Sequence, residues 1–324
     1  CPMLDDNGLC EIHKNLGEDY LGVVCKQFPR YSEYYGTIKE SGIGLACEEA
    51  ARIILSENRP FSMETAACDE EYEPSSEYDS SFALQIFAAR EAVFKILAKE
   101  SLSIHEKLIV ILDMGSKIQQ CINTDEYDNI KSVVNDYLKE GIAHTLDETR
   151  NLSDSGQFED ISLQQGIRQI LYPYEEMEVL NPEWEVILKD IIDSLFEQMS
   201  DEEYNILNEE FGTYMVSRAY EYRQLLEYLV FRYFAKSIYD YDFLGKCQML
   251  VTNFFVIRQM DIIRWLDNHR EYSFKDRMDV VHIFSRQVEY SEDNIENLYE
   301  DFIFDDIFKT DSLIAILWID SENI

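Results

Sequence analysis

"FALQIFAAREAVFKILAKE" (residues 82–100) decides the fold class, because apolar side chains recur in it at three- and four-residue intervals and nothing in it breaks a helix. Leu84, Phe87, Ala88, Phe94 and Ala98 lie on a mostly apolar stripe that Glu91 and Lys95 border, the pattern of an amphipathic helix. The signature continues downstream. "SIHEKLIVILDMGSKIQQC" (residues 103–121) opens with Ser103 and, three residues on, Glu106, a capping box in which hydroxyl and carboxylate satisfy orphan amides reciprocally. "NPEWEVILKDIIDSLFEQM" (residues 181–199) starts on Asn181 as cap with Pro182 at the first helical position, where a missing amide costs nothing. Ser200 with Glu203, and Ser273 before "FKDRMDVVHIFSRQVEY", mark two further starts. Between Tyr220 and Trp265 large apolar groups are dense enough for two helices apolar on most faces, which belong at the centre. With only six prolines in 324 residues, little interrupts these helices. The expectation is a mainly α protein whose residues 82–324 form a compact multi-helix bundle.

The flanking N-terminal composition differs. Residues 1–60 hold four of the seven cysteines and six of the twelve glycines, with turn-prone pieces such as "DDNG", and read as a small cysteine-containing, loop-rich unit. Residues 61–81, most clearly "TAACDEEYEPSSEYDSS" from Thr65 to Ser81, are polar, acidic and aperiodic, and read as a linker or exposed loop.

Sixty-four acidic against 28 basic side chains leave a formal charge of −36. Such a field repels nucleic-acid phosphates and anionic lipid headgroups over a Debye length of about 8 Å, so no nucleic-acid partner is expected; it attracts a cationic partner, although an acidic surface that serves only solubility is the commoner explanation. The most apolar segments fall far short of the roughly 20 residues that span a bilayer, so no membrane partner is expected. An odd cysteine count in a chain with ample core-forming residues argues against disulfide staples and for a reducing cytoplasm.

"SGIGLACEEA" (residues 41–50) carries Gly42 and Gly44 but follows no apolar strand, so it fails as a dinucleotide-type loop, and the chain has no Walker loop, HExxH or GxSxG. Of the five histidines, His105, His144 and His282 fall in expected helices with structural or solvent roles. Cys1, Cys10, Cys25 and Cys47 are separated by eight, fourteen and twenty-one residues, with no CxxC pair among them. Thiolates are soft, charged donors, so these four are candidate metal ligands for a tetrahedral zinc site or an iron–sulfur cluster, with His13 as an alternative nitrogen donor. Ordinary free or buried thiols are the competing explanation. Cys68, Cys121 and Cys247 are assigned to that ordinary class.

"CPMLDDNGLCEIH", "LGEDYL", "CKQFPR" and "GLACEEAARIIL", followed far downstream by "FRYFAKSIYD" and "HIFSRQVEYSEDNIENL", resemble in order and separation the bacterial flagellin lysine-N-methylases. The resemblance implies methyl transfer from S-adenosylmethionine to lysine side chains of flagellin. It also implies an iron–sulfur cluster, of 4Fe-4S type, on Cys1, Cys10, Cys25 and Cys47, zinc being the alternative. Relatives carry a further cysteine-rich stretch upstream that is not in this chain, and often a cysteine where Gly22 stands. Arg30 and Arg52, beside the cysteine motifs, are candidates to bind the cofactor carboxylate, set against simple pairing with the surplus acids. The catalytic base is not legible among 21 tyrosines and 64 acids. A non-enzymatic metal-binding or helical scaffold protein is the alternative function.

Overall fold

Residues 1–67, 79–154 and 162–322 are described by the computed structural model, and from Ser80 onward they are helical almost throughout. The N-terminal region supplies α1 (Glu11–Leu16), α2 (Val23–Gln27), an antiparallel hairpin of β1 (Arg30–Tyr35) and β2 (Ile38–Ile43), and α3 (Glu48–Leu55). The body follows as α4 (Ser80–Leu97), α5 (Ile104–Asn123), α6 (Ile130–Asp136), α7 (Ile142–Asp154), α8 (Leu163–Glu175) and α9 (Pro182–Ile191). It is completed by α10 (Asp201–Met215), α11 (Ala219–Tyr233), α12 (Ser237–Asp240), α13 (Phe243–Asp267), α14 (Phe274–Val288), α15 (Glu292–Phe304) and α16 (Thr310–Glu322). The protein is mainly α. No helix among the described residues is long and apolar enough to cross a membrane.

The caps read from sequence start these helices. Ser103 with Glu106 and Ser200 with Glu203 make reciprocal capping boxes, Ser273 does so with Asp276, and Asn181 accepts from the Glu183 amide ahead of Pro182. At the centre stands α13, with 21 of its 25 residues buried and α5, α8, α9, α11, α14, α15 and α16 packed around it. Cys247 is one of those buried residues, and a Cβ built on Gly115 of α5 would lie 2.5 Å from its Sγ, so the two helices approach as closely as a glycine permits. Cys121 lies half-buried at the edge of the same core. Cys68 and residues 69–78 of the expected linker lie outside the described residues.

The structure adds detail to three expectations. The helix over residues 82–100 exists, and of its expected stripe Phe94 is buried, Phe87 and Ala88 are half-buried, and Leu84 and Ala98 are exposed like the bordering Glu91 and Lys95; the buried face is completed by Phe82, Ala83, Ile86, Ala89, Val93, Ile96 and Leu97. The buried face also carries Arg90, whose guanidinium grips Glu40 of β2 through Nη1 at 2.6 Å and Nη2 at 2.5 Å. Within the loop-rich residues 1–60, residues 30–43 pair as a hairpin whose Tyr35 is buried and Tyr31 half-buried, while Glu33 stays partly exposed and pairs with Lys236 at 3.0 Å. Phe61, at the start of the expected linker, stacks on Phe94 at 4.2 Å between ring centres. By contrast, residues 1–29 contain no buried side chain at all.

Candidate functional site

The docked hairpin, the stretch 59–64 and one face of α11 enclose a cleft of about 380 Å³. Tyr31, Phe61 and Phe231 supply aromatic walls, and Glu227, Gln224 and Tyr228 supply polar ones. A second cavity of about 660 Å³ continues along β2 toward Ala67, and Phe61, Ser62, Glu64 and Phe231 line both. Neighbouring cavities with shared walls let two bound molecules meet.

Local sequence explains how the walls are held. Successive residues Arg223 and Gln224 tie the chain at 57–59 to α11: Arg223 Nη2 donates to Asn58 Oδ1 at 2.8 Å and to the Arg59 carbonyl at 3.1 Å, and Gln224 Nε2 donates to the Glu57 carbonyl at 2.5 Å. Arg223 Nη1 also donates to both Glu227 oxygens, at 2.7 and 2.9 Å. Burial nevertheless pushes the Glu227 carboxyl above the usual carboxylate range, against the pull of Arg223 and Lys107. Gln224 Oε1 is buried without a hydrogen-bond partner.

Behind the cleft lies a buried charge network. Arg232 Nε stands 3.0 Å from Glu289 Oε2, which also accepts from the Tyr228 hydroxyl at 2.7 Å and the Tyr233 hydroxyl at 3.3 Å. Arg232 Nη1 donates to the Tyr228 oxygen at 2.8 Å. Burial pushes the Tyr31, Tyr228 and Tyr233 phenols well up, so they keep their protons at neutral pH and act as donors. Two glycines let the hairpin reach this network: a Cβ on Gly42 would meet the Tyr31 ring at 2.6 Å, and one on Gly44 would press on Tyr290 Oη and Arg232 Nη1 at 3.1 and 3.2 Å.

The residues proposed from sequence lie elsewhere. Cys1 and Cys25 are exposed, and Cys10 and Cys47 are half-buried. Cys10 Sγ accepts from the His13 amide at 3.5 Å as the cap of α1, and Cys47 occupies the cap position of α3 without a side-chain bond. Among the described residues no three His, Cys, Asp or Glu side chains converge as a metal site. The expected centre on Cys1, Cys10, Cys25 and Cys47 is not among the groupings that these residues form. Arg30 is exposed at the start of β1, and Arg52 is exposed on α3 and bonded to Glu49 at 2.6 and 2.8 Å, so Arg52 is engaged in surface pairing. Neither lines the cleft. Arg59 does, and sequence reasoning passed over it, as it passed over Glu227, because nothing local distinguishes them from other charged residues.

Residues 90–316 match the model of the FliB lysine N-methylase C-terminal domain. A stretch of 57 residues is 37% identical to the flagellar biosynthetic protein FliU of Salmonella muenchen, covering 18% of this chain and 34% of that protein. The same identity over 57 residues links the chain to lysine-N-methylases of Salmonella typhimurium and Salmonella choleraesuis, again over 18% of this chain but 14% of each of theirs. The matched stretch thus spans about a third of the first relative and about a seventh of the other two. No solved structure matches the chain.

Proposed function

The chain belongs to the FliB lysine N-methylase C-terminal domain family, and from that premise we propose that it is a cytoplasmic protein-lysine N-methyltransferase that takes its methyl group from S-adenosylmethionine and acts on flagellin. The observation that carries the reading is the pair of adjoining cavities, one of them aromatic and acidic, that meet at Phe61 and Phe231. A two-substrate transfer needs two such sites within reach of one another. The flagellar name of one relative supports the choice of substrate.

The cleft residues fit a sulfonium donor. Aromatic faces and carboxylates favour a cation, Arg59 offers a partner for a carboxylate, and the unpartnered Gln224 Oε1 offers an acceptor for amine hydrogens. When bound, the donor supplies an electrophilic methyl group.

The chain's own task is to present a neutral amine. A free lysine has a pKa of about 10.4, and a field of carboxylates raises it further, so the charge that attracts the substrate opposes its reaction. With the donor in the cleft, the amine enters through the second cavity and loses its water where the two meet at Phe61 and Phe231, and that desolvation penalises the ammonium form. Glu227, its carboxyl already raised by burial, accepts the proton, and the freed lone pair forms the nitrogen–carbon bond as the carbon–sulfur bond breaks toward sulfur. This displacement is polar and uses no redox step. Incubation with flagellin and isotopically labelled methyl donor tests the proposal: label is expected on lysine side chains, and flagellin recovered without it overturns the assignment.

A further inference from the structure

The two strands of the hairpin present different edges. Gly36, at φ +60°, opens a two-residue turn, and the register pairs Tyr35 with Ile38, Glu33 with Glu40, Ser32 with Ser41, Tyr31 with Gly42 and Arg30 with Ile43. In an antiparallel ladder, opposed residues alternate between exchanging hydrogen bonds and turning their amides and carbonyls outward. Two contacts fix which are which. The Gly44 amide donates to the Pro29 carbonyl at 2.8 Å, so the bonded pairs that follow along β2 are those at Gly42 and Glu40. Ser32 Oγ and Ser41 Oγ lie 2.8 Å apart, the closeness expected of side chains in a non-bonded pair. Ser41 and Ile43 therefore turn their backbone groups away from β1.

That outer edge is uncovered. On the β1 side the Tyr239 hydroxyl donates to the Tyr34 carbonyl at 2.8 Å, but the backbone groups of Ser41 and Ile43 have no hydrogen-bond partner among the described residues. Ser41 lines the larger cavity and Ile43 the smaller cleft. Across from them runs the stretch 61–67, which lies in neither helix nor strand and makes no backbone–backbone hydrogen bond among the described residues. The two cavities thus make one slot along β2, with a strand edge as one wall. Ile38 and Met63 line it while 43% and 47% exposed, and the exposed Glu64 adds negative charge.

Resting on the reading of the chain as a lysine methyltransferase, we infer that the slot takes its substrate as an extended, lysine-bearing polypeptide segment, added as a third strand to the Ser41 and Ile43 edge of β2. Strand addition draws affinity from main-chain hydrogen bonds and selectivity from alternate side chains. The side chain of Glu40 faces the body, where it holds Arg90, and the Arg90 guanidinium carbon lies 5.7 Å from the Phe231 ring centre. A substrate residue set opposite Glu40 or Gly42 sends its side chain to that same face, toward the junction of the two cavities at Phe61 and Phe231. The lysine belongs there. Residues two positions away from it share its face, and apolar ones suit the exposed Ile38 and Met63.

Amide hydrogen exchange in the whole chain tests the pairing, with the blocked peptide Ser-Val-Thr-Lys-Thr-Val-Ser as probe and no methyl donor present. Saturating peptide is expected to slow exchange at Ser41 and Ile43 about tenfold or more, while Glu40 and Gly42, already bonded to β1, change little. Ester analogues that each replace one peptide amide should bind about fivefold more weakly at alternate positions and normally at the positions between. Ser41→Pro deletes the outward amide and keeps the bonds to β1, so it should weaken binding at least as much with the circular dichroism unchanged. No protection at Ser41 and Ile43, analogues weakened without alternation, or full binding by Ser41→Pro each overturns the inference. These readouts precede methyl transfer. Labelled flagellin without protection at Ser41 overturns the slot alone, whereas protection with unlabelled flagellin upholds the slot and overturns the activity.

Discussion

The guanidinium carbon of Arg232 lies 4.5 Å from the ring centre of Tyr31, which fastens the hairpin to α11 through a cation already committed to Glu289. The Arg232 side chain is 13% exposed and that of Glu289 not at all, so removing one partner strands the other in a low-dielectric interior. Arg232→Met is expected to cost about 3–5 kcal/mol, and Glu289→Gln a comparable amount, whereas the double variant should recover most of either loss. Urea unfolding of the four proteins gives the cycle. Strict additivity would show that the pair does not hold the hairpin in place.

Glu227→Gln removes the proposed proton acceptor while keeping the side chain's size. Loss of a general base is expected to lower the turnover number by about 10²- to 10⁴-fold with little change in KM. Because burial raises the Glu227 carboxyl above its ordinary 4.5, the acid limb of the wild-type profile should fall at a pH higher than an exposed glutamate would give, activity being lost as the base protonates. The variant's residual activity should lack that limb. Methylation rates across the acid range read both effects, and an unchanged limb in Glu227→Gln assigns the base elsewhere.

Helix positions were legible because caps act locally: Ser103, Ser200, Ser273 and Asn181 each find partners within three residues. The centrality of α11 and α13 was legible from sheer apolar density. Orientation was not, as α4 shows, because Arg90 is tolerated inside only through Glu40, fifty residues away in sequence. The hairpin was hidden because only Tyr35 of its two strands is buried, so polar residues such as Glu33 and Lys39 blur the alternation that a half-buried strand displays. The cleft unites Tyr31, Phe61 and Glu227, three segments with no shared motif, and only tertiary packing joins them.

Asp320 gives a stability prediction with a definite sign. Burial pushes its carboxyl up, but Arg258, His105 and the bonds from His105 and Asn208 outweigh that and hold it at about 2, below the ordinary 3.8. A folded pKa below the unfolded one means a contribution complete above the unfolded value and lost as the pH falls through the folded one. At neutral pH it is worth roughly 2 kcal/mol. Urea unfolding between about pH 5 and pH 2 should therefore show a shallower acid loss in Asp320→Asn, which is less stable at the upper end. Identical slopes in the two proteins would remove Asp320 from the acid response.

Cys47 separates a structural thiol from a metal ligand by a single substitution. Its backbone is extended, at φ −105° and ψ 121°, it heads α3 with Glu48 and Glu49 in the first turn, and its side chain makes no capping bond. A hydroxyl at that position accepts from the exposed amides far better than a thiol does, so Cys47→Ser should stabilise the protein by up to about 1 kcal/mol. A thiolate bound to metal would behave in the opposite way, since the replacement removes a charged soft donor and with it the metal's contribution to folding. Thermal melts of both proteins, with and without a chelator and with iron and zinc counted, read the difference. The expected result is a higher melting temperature in Cys47→Ser and no response to chelator in either protein; a lower one accompanied by loss of bound metal would restore Cys47 as a ligand.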